Sequence, residues 1–398
     1  MQMIPYPHQL TLSDKAFKVL ADYMIVYLAM EERTGKTLTS ILICEKAKVQ
    51  NILVITKKKA LEGWHDTLSA FDHTKNYTVV NYHQAKKENP KVFDLVILDE
   101  SHSYISSFPK RSAMWKDISR LTKGKPLIYL SATPYAQGAQ LLFNQLALSD
   151  WSPFNKWSSP YAWFRAFGIP DSIYLSGRAV ETYKKVRTEE VLSYCSRLFI
   201  TATRRELKFE HEPTDKLHFI ELDPSTKDAY NLLMKHRVIE LNGAELLCDT
   251  PMKLRTSLHM LEGGVAKIDD TYMLLGNDEK IRYIKEHWPD TKATVIMYNY
   301  VAEGEKLRQH FKQATLLQAT SFAEGVDLSG HDDLLIYSQD FSTARHSQRR
   351  ARQANKKRDT PITVHFLLVE KAVSEQVYKT VSINKTNFVD SVFTQEEL

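Results

Sequence analysis

The sequence predicts an α/β protein built from two parallel-sheet lobes in tandem. Three observations predict it. Short, almost wholly apolar, β-rich runs alternate with amphipathic stretches, the rhythm of βαβ units whose strands are buried on both faces. The same texture occurs twice, before and after a polar stretch near residue 205. Finally, 398 residues exceed one ordinary domain, and 43% hydrophobic with 25% charged residues supplies apolar material for two cores.

In the first half the runs are NILVIT (51–56), YTVVNY (77–82), FDLVILDE (93–100) and PLIYLSAT (126–133), each bounded by polar or turn residues. Residues 151–187 change texture. Trp151, Phe154, Trp157, Tyr161, Trp163, Phe164 and Phe167 crowd a segment broken by Pro153, Pro160 and Pro170. Its expected role is a packed connector covering the sheet edge, with a base-stacking platform as the alternative. RLFITAT (197–203) adds a strand, and RRELKFEHEPTDK (204–216) is the expected crossing between an N-terminal lobe over 1–205 and a C-terminal lobe over 206–398. KLHFIEL (216–222) opens the second lobe, and a helical region is expected over 224–261. ATVIMYNY (293–300), ATLLQAT (314–320), DLLIYSQ (333–339) and TVHFLLV (363–369) read as its buried strands.

A formal charge of +5 and a pI near 8.8 permit a polyanionic partner without requiring one. Cys44, Cys195 and Cys248 show no C-x-x-C spacing, so neither structural zinc nor a disulfide framework is expected, and a reducing cytoplasm is the expected location. Residues 1–10 lack the basic start and apolar core of a signal peptide, and no apolar run reaches membrane-spanning length.

Three weak signals follow one another along the first half. Gly35-Lys36-Thr37 closes a turn before a helical stretch, where backbone N–H groups and the helix dipole face an anion, Lys36 adds a charge and Thr37 can ligate Mg²⁺. Asp99 and Glu100 end an apolar strand, at the edge where open α/β sheets bind ligands. Asp99 suits a magnesium ligand and Glu100 a residue that orients attacking water. Ser131 and Thr133 end a later strand, with hydroxyls able to reach His102 or Glu100. Phosphate loop, acidic strand end and hydroxyl pair stand on successive α/β units, an order that chance does not readily produce. In the second half, Gly325 and Asp327 lie in a polar turn, and residues 345–358 concentrate arginines and lysines around Gln348 and Gln353. A charge run is usually a solvated helix face; here it can also supply the guanidinium that phosphoryl transfer needs.

With these residues in order, nearly the whole chain resembles the superfamily 2 helicases and translocases. The likeness is nearest to the DExH and chromatin-remodeller-like branch, including compact forms encoded by phages, whose site is the host cytoplasm. The resemblance implies two RecA-like lobes with an ATP cleft between them, and ATP and Mg²⁺ as ligands. PYPHQ is similar to the adenine-reading Q motif, with Gln9 as reader. MEERTGKT matches motif I, so Arg33, Thr34, Gly35, Lys36, Thr37 and Leu38 are implied at the nucleotide, with Thr37 and Asp99 on the metal. VITKKKALEGW is similar to motif Ia and VVNYHQA to motif Ib, which implies Lys57, Lys58, Tyr82 and His83 near nucleic acid. DESH is motif II and SAT motif III, making His102, Ser131 and Thr133 coupling residues. LFITATRREL resembles the remodeller segment that crosses between lobes. VIMYNY stands at motif IV. TSFAEGVDLSG stands at motif V, with Thr320 and Ser321 on nucleic acid and Gly325 and Asp327 at the nucleotide. QRRARQ stands at motif VI, where Arg349 and Arg352 keep the R-x-x-R spacing of arginine fingers, and Arg350 offers a register shifted by one.

The sequence departs from that pattern in motif I. Met30 stands where the first glycine is expected, and Glu31, Glu32 and Arg33 occupy the turn. Triphosphate binding is still expected, with the acidic pair weakening it when Mg²⁺ is absent. The expected activity is therefore ATP hydrolysis coupled to movement on duplex or branched DNA, by a monomer or with a targeting partner. RNA is the alternative polymer; a non-catalytic nucleic-acid module and a P-loop kinase or small-molecule ATPase are alternatives of other classes.

Overall fold

A strand with apolar residues at every position has no face to offer water, and Ile25–Met30 (β1) is buried along its whole length. The computed structural model describes residues 2–135, 138–175, 178–209, 211–319, 328–339, 341–342, 346, 349–354 and 358–383. Helix α1 (Pro7–Tyr23) precedes β1, and α2 (Lys36–Lys46) follows it. Next come β2 (Asn51–Thr56), α3 (Leu61–Ala70), β3 (Asn76–Asn81), β4 (Leu95–Asp99), α4 (Ala113–Thr122), β5 (Leu127–Leu130), α5 (Leu141–Leu146) and α6 (Pro160–Phe167). A hairpin of β6 (Asp171–Leu175) and β7 (Arg178–Thr182), α7 (Thr188–Cys195) and β8 (Phe199–Ala202) complete the first unit, which ends at Lys208.

Six of these strands form a parallel sheet in the order β3-β2-β4-β5-β1-β8. One strand, β5, lies between β1 and β4. The C-terminal ends of β1, β5 and β4 therefore stand side by side, and with them the Gly35-Lys36-Thr37 turn, Ser131 and the Asp99-Glu100 pair. The aromatic segment over 151–187 packs: Phe154, Trp163, Phe164 and Phe167 join the core beneath the sheet, while Trp151 and Tyr161 stay exposed.

The second unit begins at Phe209. It contains β9 (Thr214–Phe219), α8 (Pro224–His236), β10 (Val238–Leu241), β11 (Ala244–Leu247), α9 (Pro251–Glu262), β12 (Val265–Ile268), β13 (Thr271–Leu274) and α10 (Glu279–His287). After these come β14 (Val295–Tyr298), α11 (Val301–His310), β15 (Thr315–Gln318), β16 (Asp333–Ile336), β17 (Thr363–Leu368) and a last helix over Val373–Ile383. Its five-stranded sheet runs β15-β14-β16-β17-β9, all parallel. Two RecA-like parallel-sheet lobes in tandem are thus what the chain forms.

The region expected to be helical over 224–261 is corrected. It holds two helices separated by the antiparallel pair β10–β11. Asn242 and Gly243 take φ of 50° and 80°, the left-handed pair that a two-residue hairpin turn requires. No helix among the described residues is long and apolar enough to cross a membrane.

Candidate functional site

The turn between β1 and α2 is shaped by two left-handed residues, Arg33 at φ 65° and Gly35 at φ 86°. Only glycine adopts that conformation cheaply, and a Cβ on Gly35 would also lie 2.0 Å from Gln9 Nε2. Lys36 reaches back across the turn, its Nζ donating to the carbonyls of Met30 and Glu31, both at 2.9 Å. Thr34 Oγ1 donates to Glu31 O at 2.7 Å, which tightens the same loop. From α1, Gln9 Nε2 donates to Gly35 O at 3.4 Å and Gln9 Oε1 accepts from Tyr6 N at 2.8 Å. Gln9 thus fastens the helix start to the loop. Leu38 is buried.

Asp99 ends β4 with its carboxylate held. Thr56 Oγ1 and Trp64 Nε1 both donate to Oδ2, at 2.7 and 3.0 Å. Among the described residues, Oδ1 takes no hydrogen bond, which leaves it to face a cation. Burial raises the Asp99 carboxyl above the usual carboxylate range, with Glu100 adding to the effect and Trp64, Thr56 and Lys36 opposing it. The same enclosure lowers the Lys36 ammonium from its ordinary value, opposed by Glu32, Glu100 and Asp99. Lysine and carboxylates therefore share one low-dielectric place at the sheet edge, the environment in which charges act most strongly on a ligand.

Glu100 sits at φ 53°, a left-handed conformation that costs a non-glycine residue about 1–2 kcal/mol. Strain of this kind gathers at functional positions, and here it turns the carboxylate toward His102 and Lys57. Glu100 Oε2 lies 3.4 Å from His102 Nδ1 and 4.0 Å from Lys57 Nζ. His102 Nδ1 also shares a hydrogen bond of 2.9 Å with Ser131 Oγ, and Ser131 Oγ accepts from Thr133 N at 3.0 Å. Glu100, His102, Ser131 and Thr133 are thus one connected chain, with Thr133 taking part through its backbone.

Two residues placed by resemblance on nucleic acid are buried. Tyr82 is 1% exposed, stacks on Tyr104 and donates to Asp99 O at 3.0 Å, so it belongs to the core that supports the acidic strand. Lys57 is buried beside Glu100. Lys58 and His83 are exposed.

In the second unit, Arg350 is committed within its own lobe: Nε donates to Asp215 Oδ1 at 2.6 Å and Nη2 to Pro213 O at 2.7 Å. That pairing holds it against β9 and the residue before it. Arg349 is buried, and its charge is felt by His259, whose imidazole burial, Lys280 and Arg349 together push down to about 3. The Arg352 carbonyl accepts from Leu328 N at 3.3 Å. Thr320, Ser321, Gly325 and Asp327 lie outside the described residues.

Sequence reasoning missed Trp64 and Thr56 as the partners that orient Asp99. It also missed Gln145, whose Oε1 accepts from Tyr27 OH and Ser101 Oγ, both at 2.9 Å, while Nε2 donates to Pro134 O at 2.7 Å. That one amide ties β1, the turn after Glu100 and the segment after Thr133 together. Arg204 was missed as well: its backbone N donates to Glu31 Oε2 at 2.8 Å and its Nη1 to Glu32 O at 3.3 Å.

A lysine at a helix N-terminus, followed by a threonine, and a carboxylate oxygen that takes no hydrogen bond among the described residues suit a magnesium–triphosphate by their chemistry. Magnesium is ordinarily held by one or two protein oxygens and completes its octahedron with phosphate oxygens and water. Among the described residues there is no group of three or more His, Cys, Asp or Glu side chains that could hold a metal by itself.

Residues 64–136 match the family described as "Type III restriction enzyme, res subunit", a superfamily 2 helicase-type domain. The match runs from Trp64 across β4, its acidic end and β5. No curated protein matches the chain. Among solved structures, it is similar to the SWI2/SNF2 ATPase core of Sulfolobus solfataricus in complex with dsDNA. That likeness has 14% identity and a TM-score of 0.43, over 100% of this chain and 97% of that one. It is also similar to the SWI2/SNF2 ATPase core domain of the same organism, at 14% identity and a TM-score of 0.44, over 99% and 94%. At that identity and superposition neither likeness bears on function.

Proposed function

We propose that the chain is an ATP-driven helicase or translocase acting on nucleic acid, foremost duplex or branched DNA. The observation that carries this reading is the convergence of Lys36, Asp99 and Glu100 at the C-terminal edge of one parallel sheet. The helicase-type family match over the acidic strand supports it. Lys36 and the amides of the turn would hold the β- and γ-phosphates, and Thr37 with Asp99 would hold Mg²⁺. The metal supplies charge neutralisation across the phosphates. Glu100 orients the attacking water and accepts its proton, while His102 and Ser131 carry its position to the end of β5. Arg349 and Arg352 are the proposed guanidinium donors, and Lys58 and His83 the surface residues that meet a phosphate backbone.

ATPase rates with double-stranded DNA, single-stranded DNA and RNA test the reading directly. Duplex DNA is expected to stimulate most, and the stimulation is expected to fade as salt rises, because phosphate contacts dominate such binding. Stimulation by RNA alone would reassign the polymer. Turnover indifferent to every polynucleotide would overturn the translocase.

A further inference from the structure

Glu31 and Glu32 put two carboxylates into the turn that the nucleotide-site reading gives to a polyanion, and Arg204 lies against both. Arg204 follows β8, the neighbour of β1 at the sheet edge, and is 7% exposed. Its guanidinium lies between the two acids, with Nε 3.8 Å from Glu31 Oε2 and Nη1 3.6 Å from Glu32 Oε2. The same Nη1 donates to Glu32 O, and the Arg204 backbone N–H donates to Glu31 Oε2. Glu31 N in turn donates to Ala202 O at 3.0 Å, so the first residue of the turn is tied to the strand end that carries Arg204. Lys36 feels both sides of this arrangement, since Glu32 raises and Arg204 lowers its affinity for a proton.

We infer that Arg204 is a positioning residue for triphosphate binding, which screens Glu31 and Glu32 from the phosphates and fixes the turn that lacks the usual early glycines. The inference rests on the nucleotide-site reading above. A guanidinium suits the task because its planar fork can address two carboxylates and a carbonyl together, which an ammonium on a flexible stem cannot do. Without it, the two carboxylates meet the incoming phosphates with one positive charge fewer beside them, and the cost falls on binding of ATP more than on the hydrolytic step.

The test is a mutant cycle read by the KM and kcat for ATP hydrolysis and by direct binding of ATP with and without Mg²⁺. Arg204→Ala is expected to raise KM by roughly 10-fold, within the coupling range of residues sharing one salt-bridge network, with kcat changed much less. Adding Glu31→Gln and Glu32→Gln to that variant should restore KM, since the charges Arg204 screens are then gone. Arg204→Lys should fall between the two. Should Arg204→Ala fail to fold, Glu31→Gln/Glu32→Gln with Arg204 intact gives the second readout: tighter binding of ATP without Mg²⁺ than the wild type shows. An unchanged KM in Arg204→Ala, or no rescue by the paired Gln substitutions, overturns the role of Arg204. A wild-type protein that binds no ATP overturns the nucleotide site itself, a separate result.

Discussion

Asp99 can present Oδ1 to a cation only because Oδ2 is occupied by Thr56 and Trp64. Groups that orient a metal-binding side chain usually matter about 10- to 100-fold in metal affinity or activity. Trp64→Phe keeps an aromatic ring but removes the indole N–H together with the second ring, at a site that is 2% exposed. It is expected to raise the Mg²⁺ concentration needed for half-maximal ATPase by about 10-fold, alongside a loss of thermal stability from the cavity it leaves; a magnesium titration checks the first, and an unchanged requirement would show that Trp64 only packs. At this scale the sequence is legible where function is local. Lys36 and Thr37 stand beside a glycine before a helix, and Asp99 and Glu100 end an apolar run. Trp64, Gln145 and Arg204 act across 35, 44 and 173 positions of chain respectively. No spacing rule announces such partners; only the order of strands in the sheet brings them together. Tyr82 and Lys57 are buried, and a motif position does not reveal whether a side chain faces solvent or core.

Elements made of continuous apolar residues are the ones that periodicity reads well. NILVIT coincides with β2, and TVHFLLV runs one residue past β17, because a strand buried on both faces has few polar positions to blur its limits. The hairpins of the second lobe escape that reading, since β10 and β11 are short and half exposed, and their signal lies in Asn242-Gly243 instead. Burial in this lobe also encloses histidines. Across β9, β17 and the start of β16, His218 Nδ1 meets Tyr283 OH at 2.8 Å, His218 Nε2 meets His365 Nδ1 at 2.8 Å, and His365 Nε2 lies 3.0 Å from Asp333 Oδ1. Burial pushes His218 down to about 4, with His365, Lys216 and His287 adding to it, and His259 down to about 3. In the unfolded chain these imidazoles titrate near their ordinary value of about 6.5. Below that value the unfolded state binds protons that the fold refuses, so stability falls as pH drops from about 6.5 toward 4. Urea midpoints at pH 7.5 and pH 5 should show the loss, and His218→Gln should shrink it. A midpoint independent of pH over that interval would contradict the buried, neutral state of these rings.

For the whole molecule, composition and texture reveal the class: two parallel sheets in tandem were legible because each supplies its own set of apolar runs. A charge of +5 was compatible with a polyanionic partner but chose none. What gives the chain a reading as a motor is chemistry at one sheet edge, where strand order places a lysine-closed turn one strand away from an acidic pair. Steady-state ATP hydrolysis by the wild type, Lys36→Ala and Glu100→Gln, each with duplex DNA, tests that claim most directly. Loss of one preorganised charge-stabilising group costs about 10²-fold or more in turnover, and both variants are expected to fall by that much while remaining folded. Hydrolysis by either variant at the wild-type rate would contradict the assignment of Lys36 and Glu100, and with it the proposed engine.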